Sequence, residues 1–186
     1  IILPGILYSD QLVIENIKLT FLKNQYSLDL FSKYWTLLCF LLFLNSFNMF
    51  DGINLQVVLY SLFLCLVLIF FTGFEILLVS LIISLLFFMI LNLKSKSFFG
   101  DGGTYLLSYI FGYLFIKLYN QTNEIYADQI VLLMLLPGLE LMRLFTIRLA
   151  SKKNPFSADR NHLHHILLKE NNFLRVTLIT QSLIIL

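Results

Sequence analysis

The chain has 186 residues, of which 59% are hydrophobic and 13% are charged, and its formal net charge at pH 7 is +2. Ordinary soluble domains carry about 25% charged residues, so this composition excludes a soluble globular protein and indicates several membrane-spanning segments. The net charge identifies no partner, because in a membrane protein the distribution of Lys and Arg between the loops carries the information.

The N-terminal part of the chain is of mixed character. Residues 1–7 are apolar, and we interpret them as the tail of an earlier span. Residues 10–29 alternate loosely between apolar and polar and contain a KNQ break, which predicts a small hairpin outside the bilayer. The chain begins with Ile and has no charged leader with a cleavage site. We therefore expect it to be a fragment of a longer protein.

Apolar segments of membrane-spanning character follow along the rest of the chain. They cover residues 31–50, 55–71, 76–93, 104–119 and 127–149, and an incomplete one covers 173–186. A helix needs about 20 such residues to cross the hydrocarbon core. The prediction is an all-α, polytopic transmembrane bundle of about five to six spanning helices. It forms one integral membrane domain over 1–186, with a small extracytoplasmic hairpin near the N-terminus.

Basic residues are distributed unevenly between the two predicted sides of the membrane. The loops after residues 50, 93 and 149, with their helix ends, hold nine of the 13 Lys and Arg residues, and the opposite side holds four. Cytoplasmic loops carry an excess of Lys and Arg. We therefore predict that these three loops, which also contain every polar cluster described next, face the cytoplasm.

The first polar cluster is LNSFNMFDGIN, which lies between two apolar runs. Asn45, Asn48 and Asp51 recur at every third residue and would form one slanted stripe on a helix. Polar groups at membrane depth normally face the protein interior or a wet cavity. The alternative is a structural one, in which these side chains only join helices through hydrogen bonds.

The second cluster is KSKSFFGDGGTYLLS, in which Asp101 lies among three glycines immediately before a predicted span. Glycine allows the backbone to approach an anion, and a helix N-terminus adds positive potential. A carboxylate here can hold a divalent cation that in turn binds phosphate oxygens. The alternative is an ordinary Gly-rich turn with an exposed Asp.

The third cluster, KKNPFSADRNHLHHILLKE, contains all three histidines of the chain, His162, His164 and His165. Zinc sites usually add Cys or carboxylate ligands at defined spacing, and this stretch shows none. Arg160 beside the imidazoles suits a pyrophosphate better, because clustered cationic donors stabilise the charge that moves during phosphoryl transfer. A solvated basic loop is the alternative.

Three motifs in this order, NSFNMFDGIN, FFGDGGTYLLS and NPFSADRNHLHHILL, resemble the polyprenyl-phosphate N-acetylhexosamine-1-phosphate transferases of glycosyltransferase family 4. The resemblance covers residues 34–168, and the third motif is most similar to the GlcNAc-transferring branch. It implies transfer of GlcNAc-1-phosphate from a UDP-sugar to undecaprenyl phosphate, with release of UMP. The implied context is synthesis of cell-envelope polysaccharide such as lipopolysaccharide at the bacterial inner (cytoplasmic) membrane, with the active site facing the cytoplasm.

The resemblance also implies roles for particular residues. Mg²⁺ or Mn²⁺ would be held by Asn48 and Asp101. The catalytic residues would be Asp51, Asp101, His162, His164 and His165, and the substrate-binding residues would be Asn45, Asn48, Asn54 and Arg160. The implied partners are a UDP-N-acetylhexosamine, undecaprenyl phosphate and the lipid bilayer. A homodimer is allowed, and no nucleic acid is expected.

The chain departs from the family pattern in a few places. Asn54 stands where bacterial members often have Asp, Gly103 with Thr104 where many have Gly-Ser, and Glu140 where they often have Asp. The family's paired aspartates have no counterpart, since Asp-Asp occurs nowhere in the sequence, and we expect these 186 residues alone to be inactive. Three alternatives stay open: a phospho-MurNAc-pentapeptide transferase of peptidoglycan synthesis, a membrane transporter, and an inactive scaffold paralogue. A transporter predicts polar sites near the bilayer midplane.

Overall fold

The computed structural model of the protein describes residues 12–22, 24–73, 75–122 and 124–151. The described residues are mostly helical, which confirms the predicted helical class. Two strands, a 3₁₀ turn and six α-helices follow in the order β1 (Asn16–Ile17), β2 (Tyr26–Ser27), 3₁₀ turn (Asp29–Phe31), α1 (Ser32–Phe50), α2 (Gln56–Thr72), α3 (Ile76–Leu93), α4 (Gly100–Gln121), α5 (Ala127–Leu133) and α6 (Leu135–Ala150). The segments predicted over 1–7 and 173–186 lie outside the described residues.

The number of spanning helices differs from the prediction. Within the described part of the chain, Asp29–Phe50 and Ile76–Leu93 are long and apolar enough to cross a membrane, and α5 with α6 adds a third if the bent pair is one span. The protein is thus a helical membrane protein whose described residues contain two or three such spans, which does not support the expectation of five to six. One reason is length, because the apolar α2 has only 17 residues.

The core lies between α1, α2 and α4. Phe47, Tyr60 and Phe111, one from each helix, are completely buried. The ring centroid of Phe47 lies 5.7 Å from that of Tyr60 and 6.1 Å from that of Phe111. Gly112 brings α1 and α4 close together, since a Cβ atom there would lie 2.6 Å from a ring carbon of Phe40. This close approach allows polar side chains of α1 and α4 to contact each other at the end of the bundle.

The segment predicted as one span over 127–149 is broken. Helices α5 and α6 are bent by 70° at Met134. The cause is Pro137, which has no N–H to donate to the carbonyl of Leu133 and whose ring would clash with that carbonyl in a continuous helix. The hydroxyl of Tyr60 donates to the Leu133 carbonyl instead, at 2.9 Å. A side chain of α2 thus donates the hydrogen bond that the Leu133 carbonyl cannot receive from Pro137.

The region predicted as a hairpin contains the short antiparallel pair of β1 and β2, with Asn16 opposite Ser27. It packs on the C-terminal end of α4, where the Tyr119 hydroxyl accepts a hydrogen bond from the Lys18 N–H at 2.7 Å and donates to the Asn16 carbonyl at 2.8 Å. Asp128 accepts a bond from the Thr20 N–H at 3.0 Å. Since α4 has 22 residues, this end lies about 30 Å from the start of α4. The position of the β1–β2 region outside the bilayer stays a prediction.

The contact between Tyr60 and the bend can be tested by a double-mutant cycle. Tyr60→Phe keeps the buried ring but leaves the Leu133 carbonyl without its donor, so we expect a loss of about 1–3 kcal/mol in stability. Pro137→Ala supplies an N–H that can bond the same carbonyl. Tyr60→Phe should therefore cost less in the Pro137→Ala background, measured as unfolding free energy in detergent. Equal costs in the two backgrounds would contradict this account of the bend.

Candidate functional site

Four helix ends meet at the end of the bundle opposite the hairpin. They are the C-termini of α1 and α3 and the N-termini of α2 and α4, joined by the α1–α2 loop (residues 51–55) and the α3–α4 loop (residues 94–99). Two of the three predicted polar clusters are thereby brought together. The third cluster, with Arg160, His162, His164 and His165, lies outside the described residues.

The centre of the site is a contact between α1 and α4. The Nδ2 atom of Asn48 donates to Oδ1 of Asp101 at 3.1 Å and to Oγ1 of Thr104 at 2.8 Å. Thr104 is completely buried, and its own hydroxyl can donate to the carbonyl of Gly100 or Asp101, each at 3.1 Å. Both bonds are made by Nδ2, and within the described part of the chain the amide oxygen of Asn48 accepts no hydrogen bond.

Asp101 is placed by its local backbone. The sequence predicts it just before a helix, whereas the structure places it in the first turn of α4. A carboxylate in the first turn is favoured by the exposed N–H groups and the helix dipole. The preceding Gly100 has φ +58°, a conformation that glycine adopts without the steric cost of a side chain. Gly100 thus allows the backbone turn with which α4 begins.

Asp51 follows the last residue of α1 and is half-buried at the same end of the bundle. Burial of its carboxyl group, which disfavours the charged form, is the main reason that its pKa rises from the ordinary 3.8 to about 6, and the negative charge of Asp101 contributes in the same direction. Two carboxylates therefore lie close enough to repel each other. A cation bound between them would relieve that repulsion.

Two predicted site residues have other partners. Asn45 is exposed, and its Nδ2 atom donates to the Leu41 carbonyl of its own helix at 2.8 Å. It thus makes no hydrogen bond to Asn48 or Asp101 among the described residues. Asn54 donates from Nδ2 to Oγ of Ser95 at 2.7 Å, so it joins the two loops. The substrate-binding roles of both residues stay predictions.

Sequence reasoning missed two residues of the site. Thr104 was noted only as a departure from the family pattern, although its spacing of three residues from Asp101 places it one helical turn further on. Asn92 was not singled out, although it is the lone amide near the end of an otherwise apolar span. The structure shows it buried between the two loops. In both cases the partner residue is distant in sequence.

The donor set fits a magnesium or manganese ion. The available groups are the amide oxygen of Asn48 and the carboxylate of Asp101, with the charge of Asp51 close by. Mg²⁺ typically takes one or two carboxylates together with waters and substrate phosphates, and oxygen ligands favour it over softer metals. The part of the chain that the structure describes contains no group of three or more His, Cys, Asp or Glu able to hold a metal.

The described residues thus form a helical membrane protein with amide, hydroxyl and carboxylate groups gathered at one end of its bundle. The chain belongs to glycosyl transferase family 4, whose family model matches residues 1–119. The matched part contains Asn48, Asp51 and Asp101 and ends before the histidine cluster. No curated protein matches the chain significantly. Family membership indicates transfer of a phospho-sugar to a polyprenyl phosphate.

The raised pKa of Asp51 predicts a pH-dependent stability. Protonated Asp51 stabilises the folded state fully below the unfolded pKa of 3.8, and this contribution is lost as the pH rises through the folded pKa of about 6. In a chelating buffer, the stability of the wild-type protein relative to Asp51→Asn should fall between pH 4 and 7, by at most about 3 kcal/mol. Thermal unfolding in detergent measures this difference. A difference that is constant over this range, or that grows with pH, would contradict the burial of an ionising Asp51.

Proposed function

We propose that the protein transfers N-acetylhexosamine-1-phosphate, GlcNAc-1-phosphate in the first place, from a UDP-sugar to undecaprenyl phosphate and releases UMP. The observation that carries the proposal is the hydrogen bond between Asn48 and Asp101 across α1 and α4, next to the half-buried Asp51. One substrate is anchored in lipid and the other is a soluble nucleotide. Their reacting groups can meet at the end of a membrane bundle, where this cluster lies.

The reaction asks little covalent chemistry of the protein. An oxygen of the lipid phosphate attacks the sugar-linked phosphorus of the UDP-sugar, a new P–O bond forms, and the bond to UMP breaks. Catalysis of such a transfer consists mainly of positioning and of stabilising charge. Asn48 and Asp101 would hold Mg²⁺, which when bound neutralises charge on the diphosphate and on the lipid phosphate.

The chain's own residues then have separate tasks. Thr104 orients the amide of Asn48, so that the amide oxygen faces the substrates rather than the helix. Asp51, half-buried at the same end of the bundle, would take the proton of a singly protonated lipid phosphate as general base. The loop with Arg160, His162, His164 and His165 would contact the diphosphate or the sugar. The excess of Lys and Arg in the loops at this end supports an active site at the cytoplasmic side of a bacterial inner membrane.

Replacing Asp101 tests the proposed function most simply. Asp101→Asn keeps the size and one acceptor oxygen for Asn48 but removes the charge that holds the cation, so UMP release should fall by about 10²-fold or more. The assay uses UDP-GlcNAc, undecaprenyl phosphate and Mg²⁺ with the full-length protein in detergent. Asp128→Asn, at the opposite end of the bundle, is the matched control and should keep wild-type activity. UDP-MurNAc-pentapeptide as the alternative donor tests the assignment of the sugar.

The proposed function fails if Asp101→Asn keeps near-normal UMP release in folded protein. It also fails if excess chelator leaves the turnover of the wild-type protein undiminished. Preference for UDP-MurNAc-pentapeptide would retain the reaction class but overturn the hexosamine assigned here.

The predicted orientation has its own test. Ser95 in the α3–α4 loop and Asn24 in the hairpin region are both exposed, and they lie at opposite ends of the bundle. Cys39 and Cys65 would first be replaced by Ala, and Ser95→Cys and Asn24→Cys would then be made singly. A membrane-impermeant thiol reagent should label Asn24→Cys in intact cells and Ser95→Cys only after the membrane is opened. Labelling of Ser95→Cys from outside would place the site on the wrong side for a cytoplasmic nucleotide sugar.

A further inference from the structure

A buried amide connects the two loops that carry the site. Asn92 lies near the C-terminal end of α3 and is 5% exposed. Its Oδ1 atom accepts a hydrogen bond from the Leu55 N–H in the α1–α2 loop at 2.6 Å, and its Nδ2 atom donates to the Ser97 carbonyl in the α3–α4 loop at 2.8 Å. Both ends of one carboxamide are thus used, one for each loop.

The α1–α2 loop needs this support. Leu55 has φ +68°, and a left-handed conformation costs a residue with a side chain about 1–2 kcal/mol. Leu55 is also the N-cap of α2 without a side-chain cap. The bond from its N–H to Asn92 satisfies a buried donor and holds the residue in the strained conformation. The bond from Asn54 to Ser95 at 2.7 Å joins the same two loops at the surface.

The two loops begin or end at the residues of the site. The α1–α2 loop starts with Asp51, and the α3–α4 loop leads into Gly100 and Asp101. Each anchored residue, Leu55 or Ser97, is four positions from a carboxylate in sequence, so the loops have little freedom to move independently of the bridge. Both the oxygen and the nitrogen of the Asn92 amide already have a partner in a loop, so the amide serves the loops rather than a substrate.

We propose that Asn92 is a positioning residue, whose buried carboxamide fixes the separation between Asp51 and Asp101 and hence the geometry of the diphosphate and cation site. This inference rests on the proposed function, since it concerns the same site. It goes further in assigning part of the catalytic rate to a residue that touches no substrate. Displacements of about 1 Å commonly cost on the order of 10²-fold in rate.

Two variants of Asn92 and one control separate positioning from simple loss of stability. Asn92→Leu removes both bonds at similar volume, whereas Asn92→Asp keeps the acceptor for the Leu55 N–H and replaces the donor to Ser97. Asn120→Leu is the control, because Asn120 also donates an amide bond to a distant carbonyl, that of Val13 at 3.0 Å, at the opposite end of α4. All are compared in the full-length protein at matched amounts of folded material.

The expected result is a split between kinetic constants. Asn92→Leu should lower kcat about 10–100-fold, the usual range for residues that orient metal or catalytic groups, and should raise the Mg²⁺ concentration needed for half-maximal rate. The KM for undecaprenyl phosphate should stay near that of the wild-type protein. The kcat of Asn92→Asp should lie between those of the wild-type protein and Asn92→Leu. Asn120→Leu should alter stability without altering kcat or the Mg²⁺ requirement.

A second readout does not depend on activity. Hydrogen exchange should show faster exchange of the Leu55 amide in Asn92→Leu and near-normal protection in Asn92→Asp, which keeps the acceptor. If Asn92→Leu has the kcat and Mg²⁺ requirement of Asn120→Leu, or leaves the Leu55 amide protected, the positioning role is wrong while the proposed function stands. If the wild-type protein releases no UMP, the proposed function fails, and unchanged exchange in Asn92→Leu would then overturn the bridge separately.

Discussion

The hydrogen bonds from the Asn48 amide to Asp101 and Thr104 are the interaction on which the site depends. They require the side chains of α1 and α4 to meet at the bundle end, and that in turn requires the close packing of Phe40 on Gly112 and of Phe47 on Phe111 further along the same helices. Removing one partner from such a contact leaves a buried polar group unsatisfied, at a cost of about 1–3 kcal/mol. The packing of the aromatic core thus sets the distance between α1 and α4 at which Asn48 can bond Asp101 and Thr104.

The same end of the bundle contains features that oppose stability. Asp51 is a carboxyl group whose charge is disfavoured by burial and by Asp101, and Leu55 is held in a left-handed conformation. Strained backbone and disfavoured charges commonly occur at functional sites, where the surrounding structure offsets their cost. Here the offset comes from the Asn92 bridge and, in the proposed reaction, from the cation. This combination favours a functional site over a polar contact that only joins helices.

Local sequence patterns predicted the helical class and the bounds of α3, but neither the number of spans nor the contacts between helices. The span predicted over 76–93 has the bounds of α3. Of the predicted stripe, Asn48 bonds Asp101 and Asp51 senses its charge, whereas Asn45 bonds its own helix. The roles of Thr104 and Asn92 could not be read in advance, because their partners are 56 and 37 positions away in sequence. The break at Met134 had a signal in Pro137, which the continuous apolar character of residues 127–149 concealed.

The central claim is that Asn48 and Asp101 together form an oxygen-ligand cation site. Electron paramagnetic resonance of Mn²⁺, titrated into the full-length protein with UDP-GlcNAc but without lipid acceptor, measures it directly. The account predicts one saturable ion per chain. The Mn²⁺ affinity should fall at least about 10-fold in Asn48→Leu and in Asp101→Asn, and it should be unchanged in Asp128→Asn. Equal Mn²⁺ affinity in the wild-type protein and in Asp101→Asn would contradict it.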